Sequence, residues 1–266
     1  MEIYYTRHGQ TIANINSIIQ GQTGGELTKE GFNQVFLLGK RLSEIKFDYI
    51  YCSDLHRTKQ TLETILKQLK FPPLEKNIFF VKSLREINIA SLVGQPCEKE
   101  IKIRNNPLHP YRFNKTGEND ESYYEVFLRI SLFIDEIIQK FLGEKYKSGI
   151  NKENNEKINK NQKEILVEEA KKNWENGVYT NKEIDDKNKN EKLIKILFIS
   201  HGGILTEITN NFLFRMGLNI CKDFCATNTA LFSLGIYKKD KNKDVESNND
   251  LQFSFHIFND VSHLNK

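Results

Sequence analysis

The apolar residues of the chain form short continuous runs and longer stretches with helical spacing. The short runs contain the β-branched and aromatic residues typical of buried strands, and they predict strands at residues 3–5, 48–52, 78–81, 195–199, 230–237 and 253–258. A charged turn is expected between the last two strands. Helical spacing predicts core-facing helices over residues 28–45, 55–69, 123–141 and 204–213.

The order of these elements predicts the architecture. Strands and helices alternate along the chain, which is typical of a sheet covered by helices. We therefore expect an α/β fold with three layers, an α/β/α sandwich in which a mostly parallel sheet has helices on both faces. Ser53 or Asp54 can cap the second helix, and Pro72 and Pro73 are expected to break it.

Two segments interrupt this pattern. Residues 94–121 contain three of the five prolines and have no clear period, so we expect a loop or lid over the edge of the sheet. Residues 144–192 are polar, and about half of those from 151 onward are Asn or Lys, as in a low-complexity insertion. Disorder or a loose helix near residues 165–174 is expected there. The interpretation is one domain over residues 1–266, interrupted by this insertion.

Composition narrows the class of protein. With 38% hydrophobic residues among 266 and a mean hydropathy of -0.55, the chain has the composition of a globular body diluted by a polar segment. The net charge of +4 is mostly lysine without interleaved aromatic residues, so no nucleic-acid partner is expected. The apolar stretches are too short to span a bilayer, and we expect no signal peptide before the first strand. We therefore expect no membrane association and a cytoplasmic location.

The four cysteines do not indicate a metal site. They lack paired Cys-x-x-Cys spacing, and a chain of this length does not need disulfide bonds to hold its fold, so reduced thiols are expected. Cys221 and Cys225 would lie one helical turn apart as half of a metal site. No neighbouring Cys or His pair completes that site, and we expect no bound metal.

Charged and imidazole side chains occur where predicted strands end and helices begin. They are Arg7, His8, Arg57, Glu86 and His201. Because the carboxyl ends of neighbouring parallel strands meet at one crevice, we expect these side chains to converge. Two histidines, two arginines and one carboxylate are the groups that phosphoryl transfer needs without a metal ion. Taken singly, Arg57 or Glu86 would be an ordinary surface ion pair, but their coincidence at strand ends favours a functional interpretation.

Each of these residues has a candidate role. A neutral imidazole can attack phosphorus and hold the phosphoryl group covalently, and His8 is the candidate nucleophile. Arg7 and Arg57 would donate bidentate hydrogen bonds to the phosphoryl oxygens, where charge is spread in the transition state. Glu86 would protonate the leaving alkoxide and later deprotonate water. His201 would donate a hydrogen bond to the same oxygens.

Motifs that follow one another along the chain carry a resemblance to a known family. They are Arg7-His8-Gly9-Gln10-Thr11 with Asn14, Leu27-Thr28 with Gly31 and Gln34, Ser53-Asp54-Leu55 with Arg57 and Gln60-Thr61, Leu84-Arg85-Glu86, and Ser200-His201-Gly202-Gly203. Together they resemble the histidine phosphatase superfamily, which contains the cofactor-dependent phosphoglycerate mutases. The resemblance covers residues 1–143 and 193–260. Residues 19–22 and 46–61 are most similar to the TIGAR-like branch of broad-specificity phosphatases.

The resemblance implies the same roles for the candidate residues. His8 would be the phosphohistidine and Glu86 the proton donor, while Arg7, Arg57 and His201 would form the phosphate pocket. No metal and no cofactor are implied for a phosphatase. The expected substrate-binding neighbours are Asn14, Gln20, Gly21 and Gly202.

The predicted function is a phosphatase that hydrolyses small phosphomonoesters, such as sugar phosphates and phosphoglycerates, so its partner is a small anionic phosphorylated metabolite. The alternative is a phosphoglycerate mutase with 2,3-bisphosphoglycerate as its cofactor. Mutases usually have a tyrosine where this chain has Ile89, which weakens that alternative. A third interpretation is a non-catalytic scaffold that binds phosphorylated ligands. The natural substrate stays open, as does the oligomeric state, for which a homodimer is one option.

Overall fold

One six-stranded sheet organises the computed structural model, which describes residues 1–98, 114–143, 193–216, 226–238 and 251–265. In the sheet the strands follow the order β3-β2-β4-β1-β5-β6. Their bounds are β1 (Glu2–Arg7), β2 (Tyr49–Cys52), β3 (Ile78–Phe80), β4 (Lys195–Ser200), β5 (Leu231–Lys238) and β6 (Leu251–Asp260).

Strand direction divides the sheet into two parts. The strands β3, β2, β4 and β1 are mutually parallel, with Tyr5 of β1 opposite Phe198 of β4. Strand β5 runs antiparallel to β1 and also to β6, so the sheet is mixed. The expected parallel core is therefore confirmed. As a consequence, the carboxyl ends of the parallel strands and the amino end of β5 lie at the same edge.

Helices cover both faces of the sheet. They are α1 (Ile12–Ile15), α2 (Lys29–Leu42), α3 (His56–Leu66), α4 (Tyr123–Leu142) and α5 (Gly202–Arg215). Helices α2 and α3 pack with Tyr4 of β1 in one apolar cluster, whereas α4 and α5 pack with Ile3 and Tyr5 in another. Because successive side chains of a strand point to opposite faces, β1 contributes to both clusters. The predicted three-layer α/β/α sandwich is confirmed.

Two predicted helix ends were wrong. Helix α2 ends at Leu42 and α3 at Leu66, three residues before residues 45 and 69 in each case, and well before Pro72. Ile45 and Leu69 still pack on the core beyond these ends, so the apolar pattern continues after helical hydrogen bonding has stopped. The predicted cap was also wrong, because Leu55 occupies the N-cap position of α3 without a side-chain hydrogen bond.

Several predictions fall outside the described residues. These include the 144–192 insertion, most of the 94–121 lid, the turn between β5 and β6, and Cys221 with Cys225. The described start of the lid segment lies against the glycine-rich loop of residues 18–25, since the Ile19 N–H donates to the Gln95 carbonyl at 2.9 Å. Within the described ranges, no helix is both long enough and apolar enough to cross a membrane.

Candidate active site

A cavity of about 100 Å³ lies at the edge of the sheet where β1 and β4 end. Eight of the nine residues predicted from the sequence line it, and His201 does not. Its walls are formed by Arg7, His8, Asn14, Ile18, Ile19, Gln20, Gly21, Arg57, Glu86, Ile87, Ile89, Cys97, Gly202 and Gly203. The lining therefore combines charged and polar side chains with four isoleucines.

The His8 ring is buried and held in one tautomer. Its Nδ1 atom lies 2.7 Å from the Gly9 carbonyl oxygen, which can only accept, so Nδ1 bears the proton. Its Nε2 atom is then an unprotonated acceptor, 3.3 Å from Arg57 Nε. Burial, with the charges of Arg57 and Arg7, holds the pKa of His8 well below its ordinary value. The ring is consequently a neutral base at neutral pH.

Arg57 is a buried cation at the N-terminus of α3, where the helix dipole opposes its charge. Backbone carbonyls of the glycine-rich loop hold its guanidinium, because Nη2 donates to Gly21 O at 2.8 Å and Nη1 to Thr23 O at 2.9 Å. Gly21 has φ +51, a conformation that glycine adopts without strain. Burial lowers the pKa of Arg57 to about 10, so the side chain stays charged at neutral pH.

Arg7 places a second cation beside His8. Its Nη1 atom donates to the Ala226 carbonyl at 2.7 Å. The guanidinium lies against the start of α5, where a Cβ atom on Gly202 would be 3.3 Å from Arg7 Cζ. Positive charge and helix N-terminal N–H groups therefore face the same cavity, an arrangement that suits an anion.

The Glu86 carboxylate contacts the same N-terminus of α5. Its Oε1 atom accepts from the Ile87 N–H at 3.0 Å and its Oε2 atom from the Gly203 N–H at 3.3 Å. A Cβ atom at position 203 would lie 2.6 Å from Glu86 Oε1, so glycine at this position lets the carboxylate approach the start of α5 closely. The backbone of Glu86 is held as well, since its carbonyl accepts from Gln22 Nε2 at 3.0 Å and from Arg129 Nη2 at 3.3 Å.

His201 lies directly behind His8, with ring centroids 5.3 Å apart. Its Nε2 atom is 2.8 Å from Ser53 Oγ, and its buried Nδ1 atom has no hydrogen-bond partner in the described parts of the chain. Burial and the nearby Arg57 hold its pKa well below the ordinary value, so the ring is neutral at neutral pH. A hydrogen bond from His201 to a phosphoryl oxygen stays a prediction.

The sequence interpretation missed three groups. Ser53 was expected to cap α3, but its hydroxyl pairs with His201. Asn228, just before β5, donates through Nδ2 to the His8 carbonyl at 3.0 Å and to Asn14 Oδ1 at 3.2 Å. Ile18 and Ile19 were not singled out as cavity residues. Asn228 precedes β5, and because β5 is antiparallel to β1, its amino end lies at the same edge of the sheet as the carboxyl ends of the parallel strands.

Metal ligands are not grouped in the described ranges, where no cluster of three or more His, Cys, Asp or Glu side chains could hold an ion. Gln20 lines the cavity, and its buried Oε1 atom has no hydrogen-bond partner among the described residues. The cavity lining therefore offers two arginines, the neutral ring of His8 and one carboxylate, and the neutral ring of His201 lies beside His8.

Comparisons with known proteins show the family of the chain. The model of the family described as "Histidine phosphatase superfamily (branch 1)" matches residues 3–150. The mouse fructose-2,6-bisphosphatase TIGAR is 33% identical over 138 residues, which are 52% of this chain and 51% of that protein. The chain thus spans about half the length of this curated relative.

Solved structures at lower identity share the fold. A mycobacterial glucosyl-3-phosphoglycerate phosphatase superposes with a TM-score of 0.60 at 15% identity, covering 97% of this chain and 98% of that one. A phosphoglycerate mutase from Bacillus anthracis superposes with a TM-score of 0.59 at 17% identity, covering 100% and 95%. Phosphatases and mutases therefore share this architecture, and the fold does not distinguish between them.

Proposed function

Because the chain belongs to the histidine phosphatase superfamily, we propose that it hydrolyses small phosphomonoesters through a phosphohistidine on His8. The observation that carries this proposal is the state of the His8 ring. A neutral imidazole with its proton on Nδ1 leaves Nε2 unprotonated, and its lone pair accepts a hydrogen bond from Arg57 Nε at 3.3 Å until a phosphoryl group takes that place. That lone pair can attack phosphorus in line while the ester oxygen leaves.

The two arginines supply the electrostatic part of the proposed reaction. Arg7 and Arg57 flank the nucleophile, and both are fixed by backbone carbonyls. Phosphoryl transfer spreads negative charge over the equatorial oxygens, and donors fixed in advance stabilise that charge without reorganising. The unfavourable position of Arg57 at a helix N-terminus is offset when an anion binds beside it.

Glu86 supplies the proton transfers. In the first step its carboxylic acid protonates the leaving alkoxide as the Nε2–phosphorus bond forms. In the second step its carboxylate takes a proton from water, which attacks phosphorus and releases inorganic phosphate and neutral His8. General acid–base catalysis of this kind contributes ~10²–10⁴-fold in rate. The hydrogen bonds from Ile87 and Gly203 fix the carboxylate at the cavity.

The apolar wall favours a phosphatase over a mutase. A mutase that works through a bisphosphate must also bind the phosphate that is not reacting. Among the described residues that line the cavity, both cations stand beside His8, and the remaining wall is rich in apolar side chains such as Ile18, Ile19 and Ile89. Among the described lining residues, a second phosphate would meet no cation apart from Arg7 and Arg57. Monophosphate esters fit this distribution of charge better.

The test incubates purified protein with 3-phosphoglycerate and 2,3-bisphosphoglycerate, and it follows inorganic phosphate and 2-phosphoglycerate in the same tube. A panel of sugar phosphates and aryl phosphates follows. Phosphate release without isomerisation is the expected result. Fast isomerisation with little phosphate would identify a mutase instead, and phosphate binding without any turnover would identify a non-catalytic scaffold.

Two histidine variants sharpen this test. His8→Ala should abolish turnover and the acid-labile phosphoryl group that mass spectrometry detects on the peptide containing residue 8. His56→Ala is the matched control, because that ring is exposed, with a side-chain exposure of 54%, and lies outside the cavity. Wild-type turnover in His8→Ala would overturn the proposed mechanism.

A further inference from the structure

The loop of residues 226–230 contacts the site from the antiparallel part of the sheet. Its Ala226 carbonyl accepts from Arg7, and its Asn228 side chain reaches both His8 and Asn14. Asn228 is partly buried and does not line the cavity itself. It can therefore influence a ligand only through the residues that it holds.

The partners of Asn228 determine which way its amide faces. The His8 carbonyl can only accept, so the Asn228 atom 3.0 Å from it must be Nδ2. The same Nδ2 atom lies 3.2 Å from the Asn14 side chain, which must therefore present Oδ1 to it. The backbone N–H of Thr11 donates to that Oδ1 atom as well, at 3.0 Å. The Thr11 hydroxyl also donates to Oδ1, at 3.0 Å, so three donors fix one orientation of the Asn14 amide.

This orientation leaves the other end of the Asn14 amide for the cavity. Asn14 lines the cavity, and its Nδ2 group has no hydrogen-bond partner in the described ranges of the chain. If the amide rotated by half a turn, Nδ2 would face the donors of Thr11 and Asn228, and Oδ1 would face the ligand. An oxygen there would repel an anion, whereas an N–H donor attracts it.

We propose that Asn228 is a positioning residue that holds the Asn14 amide with its Nδ2 donor presented to the phosphoryl group. The proposal rests on the proposed function, because it takes the ligand to be a phosphoryl group. Hydrogen bonds to a charged acceptor are stronger than neutral ones, so one correctly aimed amide donor changes anion affinity measurably.

The experiment measures binding, so that it does not depend on turnover. Calorimetry with inorganic phosphate and with orthovanadate compares the wild type with Asn228→Ala, Asn228→Asp, Asn14→Ala and the double alanine variant. Asn77→Ala is the matched control, because that asparagine also donates one hydrogen bond to a backbone carbonyl, Asp48 O at 3.1 Å, but lies outside the cavity. Thermal unfolding of every variant is measured in parallel.

Asn228→Ala should weaken binding of both anions about tenfold, the loss expected for one hydrogen bond to a charged group. The double alanine variant should bind no more weakly than Asn14→Ala alone, because Asn228 acts through Asn14. Asn228→Asp keeps the volume but places an acceptor opposite Asn14 Oδ1, so it should bind more weakly than Asn228→Ala. Asn77→Ala should bind as the wild type does.

Three results would overturn the proposal: losses that multiply in the double variant, wild-type affinity in Asn228→Asp, or an equal loss in Asn77→Ala. A merely structural role would lower the unfolding temperature without coupling the two asparagines in anion affinity. If Asn228→Ala does not fold, the volume-matched Asn228→Asp variant decides the question. Anion binding that shows this coupling while no ester is turned over would overturn the proposed phosphatase and leave the role of Asn228 intact.

Discussion

Replacing Gly203 by alanine should slow turnover without lowering stability. The new Cβ atom would lie 2.6 Å from Glu86 Oε1, and this contact has to open to about 3.4 Å, so the carboxylate moves by about 0.8 Å. The end of a flexible side chain can make that movement at little cost in folding free energy. Alanine is also a better helix former than glycine, by ~1 kcal/mol within a helix, so α5 itself is not weakened.

The expected effect of Gly203→Ala is a lower kcat. A misplacement of ~1 Å in a catalytic group can lower the rate by about a hundredfold, so Gly203→Ala should lose roughly tenfold to a hundredfold in kcat. The assay is phosphate release from a phosphomonoester, with thermal unfolding measured on the same preparation. Gly24→Ala is the control, because no atom of the described residues lies within 4 Å of the Cβ position there. Wild-type kcat in Gly203→Ala would refute the role given to the Glu86 carboxylate.

Three further outcomes are expected. Because the pKa values of the buried rings of His8 and His201 are depressed, the unfolded chain binds protons below pH ~6.5 that the folded protein does not. The contribution of the two histidines to the free energy of unfolding therefore falls as pH decreases, by up to ~2.7 kcal/mol per pH unit for the pair. Urea unfolding of His8→Ala should show half of that contribution, because one of the two rings is removed. Lys140→Met should lower the free energy of unfolding measured in urea by about 1 kcal/mol, because Lys140 Nζ makes cation–π contacts, 5.0 Å from the ring centroids of both Tyr49 and Phe79. Lys140→Arg keeps a cation there and should unfold with the free energy of the wild type. Arg129→Ala should reduce kcat, because its guanidinium holds the Glu86 carbonyl, and an unchanged kcat would show that this support is not needed.

Much of the candidate site could be predicted from the sequence. Short apolar runs identify strands, and a polar residue directly after a strand in a parallel sheet is delivered to a known edge. His8, Arg57 and Glu86 each follow a predicted strand, and all three line one cavity. Helix ends were less predictable. Ile45 and Leu69 pack on the core beyond the helices, and burial alone does not show where hydrogen bonding stops.

The pattern of apolar residues does not predict the direction of a strand. Residues alternate with a period of two in parallel and antiparallel strands alike, so the apolar positions of β5 do not reveal which of its ends reaches the cavity. The contacts of Asn228 with His8 and Asn14 depend on that direction. Ser53 illustrates the same limit at short range, because its hydroxyl could cap α3 but pairs with His201 across 148 positions of sequence.

By itself, the sequence determined the layers of the fold and the kinds of chemical group at the sheet edge, because both follow from local apolar spacing and from residue type. The tertiary structure alone decided the proton position on His8, the orientation of the Asn14 amide and the depressed pKa values of both histidines. Each of these depends on a donor, an acceptor or a charge brought from a distant part of the chain, or on the burial that folding creates.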